Sequence, residues 1–347
     1  MQFTAQQIGA LLKGTVEGDA SVAVDRLAKI EDAEAGALSF LANPKYEQYL
    51  YSTNASIVII NNDQQLAGPV KSTLIRVENA YTAISVLLEI YNQIKLNKSG
   101  IEQPSFIHPS AKIGGNVYVG AFAYIGPNVK IGDNSKVYPN CWIADNVTIG
   151  ENVTLFSSVK VYFECRIGND VIIHSGAIIG SDGFGFAPTE DGSYKKISQI
   201  GNVVIEDNVE IGSNTTIDRA TMGSTIIRKG VKLDNLVQIA HNVEIGENTV
   251  IAAQAGISGS TRIGGNVVIG GQAGVVGHIV VPNRTQLQAQ TGLSRSIKGE
   301  GEKWAGSPAA TYQVHMRSVV ALQRLPELEK KVAELEKIIK EIKNGDL

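Results

Sequence analysis

The chain has no apolar run approaching the ~20 residues that a membrane-crossing helix needs, so no transmembrane segment is expected. Its start, MQFTAQQIGA, lacks the basic stretch and apolar block of a secretory signal. With only two cysteines in 347 residues there is no disulfide framework, which suits a reducing, cytoplasmic setting. Excess charge is also scarce: the net value is −3, too little to argue for nucleic acid. No GxGxxG opens a strand-to-helix turn and no GxxxxGK[ST] occurs, which sets aside Rossmann and P-loop chemistry.

What is abundant is a six-residue period. Ile107, Ile113, Val119, Ile125, Ile131 and Val137 begin a series of 28 aliphatic anchors that ends at Leu293, with breaks after Ile179 and Ile217. A small or branched residue follows four places on, as at Val117, Ala123, Val129, Cys141 and Cys165, and glycine often follows the anchor directly. Helices return residues to one face at 3.6 and strands at 2, so a period of six means short strands separated by turns. The class is mainly β: a left-handed parallel β-helix, three hexapeptides to a coil, giving about nine coils. Both cysteines fall in the small inward slot and are expected to be reduced, core-filling thiols.

Three regions follow. Residues 1–100 lack the period and read as an α/β domain, with a helix over Ala5–Lys13 capped by Thr4, strands at Ser56–Ile60 and Thr73–Val77, and a helix over Asn79–Ile94 turning Ile84, Leu87, Leu88 and Tyr91 inward. Lys95–Gln103 reads as a linker. Residues 101–306 are the β-helix, and 307–347 form helices over Thr311–Leu325 and Glu327–Lys343, divided at Pro326. Leu325, Leu328, Val332, Leu335, Ile339 and Ile342 make a coiled-coil seam too short to stand alone, which predicts self-association.

Chemistry-bearing residues are few. His241 lies two places after the anchor Ile239, and Gly259 lies one whole coil further, so its backbone N–H stacks beside the imidazole. A base next to a free N–H suits acyl transfer, one group taking a proton and the other meeting an oxyanion. Asp234, on the preceding hexapeptide, can orient the imidazole directly or from a neighbouring chain, and His278 falls two coils on plus one position. The bland alternative is a solvated edge histidine. A trimer-interface zinc needs a third imidazole, and Ile279–Asn283 after His278 supply none, so no metal site is expected. In LSFLANPKYEQYL, Phe40, Asn43 and Tyr46 are either a site for a flat heterocycle or two core aromatics around an N-cap. Phe184 and Phe186, on the excursion Gly180–Val204, either pack back on the prism or line an apolar groove.

FLANPKY, SDGFGFA, TTIDR at Thr215–Arg219, DNLVQIAHNVEIG and the Gly277–His278 pair, in this order, resemble the UDP-3-O-(3-hydroxyacyl)glucosamine N-acyltransferases over the whole chain. That resemblance implies His241 as general base, Gly259 as oxyanion N–H, Asp234 as the carboxylate paired with the base, and His278 as a second site histidine. It makes Phe40, Asn43 and Tyr46 the uracil set. It also implies a homotrimer with no bound cofactor, which takes its acyl group from the phosphopantetheine of acyl carrier protein and transfers it to UDP-acylglucosamine. A bulky methionine that limits acyl length in well-known members corresponds here to Gly292, so a longer chain is expected to fit. Arg295, Lys298, Lys303, Arg317 and Arg324 are candidates for docking the acidic carrier. An O-acyltransferase on the same prism and a non-catalytic trimeric scaffold are the alternatives.

Overall fold

The computed structural model describes residues 2–96, 98–306 and 312–344, and the chain divides into two compact units, Met1–Lys98 and Ser99–Leu347. In the first unit a five-stranded sheet runs Thr15–Glu17, Thr73–Val77, Ile57–Asn61, Ala37–Leu41, Arg26–Leu27, with only the first pair antiparallel. Ile57–Ile60 is apolar without alternation because both faces of this central strand are covered.

The helix Ala5–Leu12 begins in a capping box, Thr4 accepting from the Gln7 N–H while the Gln7 side chain accepts from the Thr4 N–H. It stops a residue short of the expected Lys13, which takes a left-handed conformation as its C-cap. The helix Ala80–Leu96 buries Ala80, Ala83 and Ile84 and half-buries Leu87. Leu88 and Tyr91, expected inward, are 50% and 44% exposed, because the buried strip runs through Ala80, Ala83, Ile84, Leu87 and Ile90 and leaves them at its edge.

In the second unit all 28 anchors lie in two- to four-residue parallel strands, stacked into faces of nine, eleven and ten strands. Gly100–Ile101 already pairs with Tyr118–Val119, so the solenoid starts inside the stretch read as linker, one period before Ile107. At the far end Lys303–Trp304 pairs with Gln286–Leu287. The anchors form one continuous core from Val117 to Ile297; each fully buried Ile or Leu contributes on the order of 1.5–3 kcal/mol.

The turns divide their work between two positions. Glycine directly after an anchor allows close coil stacking: a Cβ on Gly132 would sit 2.6 Å from the Gly150 backbone, and one on Gly246 2.4 Å from Gly264. The left-handed conformation falls two residues later, where Asn116, Asn128, Asn134, Asn140, Asn146 and Asn152 have φ between 55° and 61°. Their amides bond along the axis, Asn116 Nδ2 donating to Asn134 Oδ1 at 3.0 Å and Asn128 Nδ2 to Asn146 Oδ1 at 3.1 Å.

Cys141 and Cys165 are free and buried, and burial pushes both thiols up to about 11, so neither is ionised near neutrality. The excursion after Ile179 is a hairpin of Phe186–Pro188 against Tyr194–Lys196. The C-terminal helix is continuous over Tyr312–Asn344 with Pro326 inside it, not two helices divided there. Proline has no N–H for the Leu322 carbonyl, but the flanking Leu, Glu, Lys and Ala residues favour helix strongly enough to carry it through. Thr311 lies outside the described residues. The expected seam is exposed along its length, from Leu325 (51%) to Ile342 (58%). No described helix is long and apolar enough to cross a membrane.

Candidate functional site

His241 sits at a corner of the solenoid between two backbones that carry no side chain. A Cβ on Gly259 would lie 2.7 Å from its Nε2 and 2.8 Å from Cε1, and one on Gly183 would lie 2.8 Å from its Cβ and 3.0 Å from Cδ2. Gly259 comes from the next coil, as the period of 18 requires. Gly183 comes from the SDGFGFA excursion and was not singled out from sequence; a doubled Gly-Phe on an excursion is its one signal.

The imidazole is oriented from its other nitrogen. His241 Nδ1 lies 3.2 Å from Asn242 Oδ1, an oxygen that also accepts from the Thr221 N–H at 3.0 Å. The amide nitrogen of Asn242 donates to the Met222 carbonyl at 2.9 Å, and its N–H to Thr225 Oγ1 at 2.9 Å. Because Oδ1 is an acceptor, Nδ1 carries the proton and Nε2 presents its lone pair toward Gly259. Among the described residues the Gly259 N–H has no acceptor, while its carbonyl accepts from the His278 N–H at 3.0 Å. A basic nitrogen beside an unused N–H donor is what acyl transfer requires.

Asp234 does not orient this imidazole within one chain. Its carboxylate accepts from the Asn235 N–H at 2.7 Å and the Ala253 N–H at 3.1 Å, tying one coil to the next. The carboxylate that feels the His241 charge is Asp218, the Asp of TTIDR, which sequence reasoning passed over as part of a family signature. Asp218 is 7% exposed and accepts from Ser181 Oγ at 3.0 Å and Gln238 Nε2 at 2.9 Å. Burial pushes it up to about 6, against the opposing pull of the Ser181 bond and the His241 charge.

The remaining expected residues separate. His278 occupies a left-handed turn position, φ 62°, aligned with Ser260 and Asn242 rather than with His241. Phe184 and Phe186 meet edge to face at 5.0 Å, and Phe184 is 85% exposed, so it does not pack back on the prism. Gly292 is third in an outward glycine column, Gly256–Gly274–Gly292, beside Gln238, and no atom would lie within 4 Å of a Cβ on any of the three. In the N-terminal unit Asn43 Oδ1 caps the turn Pro44–Tyr46 through the Lys45 N–H at 3.1 Å. Phe40 is half-buried against the core and Tyr46 is exposed at 45%, so only part of the bland alternative describes this segment. Arg295, Lys298, Lys303, Arg317 and Arg324 are all exposed, with the Arg295 guanidinium over the Trp304 ring at 5.6 Å. Among the described residues no three His, Cys, Asp or Glu side chains converge as metal ligands.

Residues 21–90 match the family model described as UDP-3-O-(3-hydroxymyristoyl) glucosamine N-acyltransferase, 101–183 the GMPPB C-terminal domain, and 224–259 the bacterial transferase hexapeptide. The chain is 59% identical to the UDP-3-O-acylglucosamine N-acyltransferase of Christiangramia forsetii, over 99% of this chain and 100% of that one. It is 53% identical to the protein of that name from Porphyromonas gingivalis strain W83, over 99% and 98%. Among solved structures, an Arabidopsis UDP-N-acetylglucosamine acyltransferase matches 60% of this chain and 71% of its own with TM-score 0.53 and 22% identity, a likeness of fold.

Proposed function

Since the chain belongs to the UDP-3-O-acylglucosamine N-acyltransferases, the acyltransferases of lipid A synthesis, we propose that it moves a 3-hydroxyacyl group from the phosphopantetheine thioester of acyl carrier protein to the 2-amino group of UDP-3-O-(3-hydroxyacyl)glucosamine. The observation that carries this reading is the His241–Gly259 pair, with the lone pair of Nε2 and an unused N–H one coil apart.

The amine nitrogen attacks the thioester carbonyl carbon while Nε2 takes its proton. The carbonyl oxygen becomes an oxyanion that accepts from the Gly259 N–H. Collapse breaks the C–S bond, the imidazolium returns the proton to the departing thiolate, and amide and thiol leave. Asn242 holds the reactive tautomer throughout. Phe40, Asn43 and Tyr46 take the uracil: the rings offer faces, and the Asn43 amide nitrogen is a donor not used in capping. His278 contributes a second imidazole for substrate, and the acyl chain runs along the Gly256–Gly274–Gly292 column. The exposed seam from Leu325 to Ile342 joins copies of the chain into a homotrimer, in which Asp234 of one copy reaches the His241 of its neighbour.

The test is acyl transfer from 3-hydroxyacyl carrier protein to the amino sugar and, in parallel, to UDP-N-acetylglucosamine. Amide formation on the amino sugar alone, falling ~10²–10⁴-fold in His241→Ala, is expected for a general base. Ester formation on UDP-N-acetylglucosamine points to the O-acyltransferase instead, and no transfer to either acceptor points to a scaffold.

A further inference from the structure

The strand Thr216–Asp218 lies directly beside Gln238–Ile239, with Ile217 opposite Ile239, so Asp218 stands level with Ala240, the residue before His241. Its carboxylate is enclosed by Ser181 and Gln238, one from each neighbouring coil. Ser181 begins the Ser181–Gly183 segment whose Gly183 backbone packs on the imidazole, so one short piece of chain holds both the carboxylate and the ring. We propose that Asp218 is a positioning residue for acyl transfer, a buried anion fixed by Ser181 and Gln238 in the same chain that stabilises the His241 imidazolium as it forms.

The inference rests on His241 being the base. The other charged groups packed here are Asp182, which pairs with Lys196, and Arg219, whose Nε donates to the Gly180 carbonyl at 2.7 Å and lies 4.0 Å from Asp182 Oδ1. Asp182 thus has its own cation in Lys196, with Arg219 at the edge of ion-pair range and its Nη2 unpartnered among the described residues, while the hydrogen bonds to Asp218 come from two neutral donors, Ser181 and Gln238. Its negative charge therefore remains available to the imidazolium. Burial pushes the Asp218 carboxyl up to about 6, and the His241 charge works against that push.

The experiment uses the full-length protein labelled at histidine Cε1, with His241→Gln identifying the His241 signal. In Asp218→Asn the midpoint of that signal is expected to move to lower pH by about one unit, the low end for loss of a nearby opposite charge. On the alkaline plateau kcat is expected to fall about tenfold, the equivalent of one pH unit, with the acceptor KM within about twofold. An unmoved midpoint overturns the proposal. A moved midpoint with unchanged kcat keeps the coupling but overturns the catalytic role of Asp218, while His241 as base is tested separately by amide formation in His241→Gln, whose full retention would overturn that reading. Should Asp218→Asn fail to fold, the wild-type carboxylate labelled at aspartate Cγ gives the answer: a second inflection at the His241 midpoint supports the pair, and a single simple titration overturns it.

Discussion

Gly259→Ala tests the base–donor pair with a single methyl group. The added Cβ would stand 2.7 Å from His241 Nε2, 2.8 Å from Cε1 and 3.2 Å from Cδ2, where real Cβ contacts rarely come closer than 3.4 Å. The imidazole must therefore retreat by more than half an ångström. It cannot swing freely, because the Gly183 backbone lies against its other side and Asn242 holds Nδ1. A displacement approaching 1 Å of a group in near-attack geometry costs about 10²-fold. We expect kcat/KM for amide formation to fall by about that factor, with the thermal midpoint little changed, since Gly259 lies at an exterior corner. Gly115 is the matched control. It occupies the same place in its hexapeptide, its Cβ would meet only the Asp133 carboxylate, Oδ1 at 3.7 Å and Cγ at 3.9 Å, and Gly115→Ala should keep full activity. Full activity in Gly259→Ala would refute the idea that the methyl-sized gap beside Nε2 is where the reaction happens.

Stability should move opposite to activity at Asp218. Its folded value of about 6 exceeds the ordinary 3.8, so its contribution to stability is full below 3.8 and lost as pH rises through 6, about 3 kcal/mol for two units. Asp218→Asn should then raise the urea midpoint at pH 8 and lose that advantage near pH 3.5; equal midpoints at pH 8 would contradict it. For acyl length, each added buried CH₂ contributes about 0.8 kcal/mol, roughly fourfold per carbon. Donor competition should favour C16 over C14 in the wild type and reverse in Gly292→Met, whereas a sharp wild-type preference for C14 would remove the argument. Removing residues 320–347 should lower the self-associated mass seen by light scattering, because the seam from Leu325 to Ile342 has no cover within one chain.

The fold was legible to the residue because the constraint repeats. An anchor that missed the interior would open a cavity in a core one side chain deep, so the spacing tolerates no slip, and the 28 anchors are all in strands. Where repetition ended, so did precision. Ile101 and Trp304 extend the stack, yet one is 51% exposed and the other lies 17 residues after Leu287 rather than 18. Pro326 reads as a divider because its local penalty is visible in sequence, whereas the summed helix propensity of some thirty neighbours is less easily weighed. The same logic governs the site. One coil of spacing placed Gly259 against His241, but Gly183 comes to the imidazole from an excursion with no period to count, and Asp218, one place after the anchor Ile217, is brought level with Ala240 only across the second break in the period. Asn242 was overlooked for another reason: it belongs to the series of left-handed asparagines, and its chemical duty is hidden under a structural one.

The glycine column has a consequence for how selectivity evolves on such a scaffold. Positions along one face recur only once per coil, about every 4.8 Å. Along the proposed acyl track, an obstruction at Gly274 or Gly256 rather than at Gly292 would shorten the admitted chain by a fixed stride of several methylenes. Finer tuning has to come from side-chain size at one rung. Chain-length preference on a solenoid is thus a coarse dial and a fine dial, each set by a single codon, and neither requires the core behind it to be repacked.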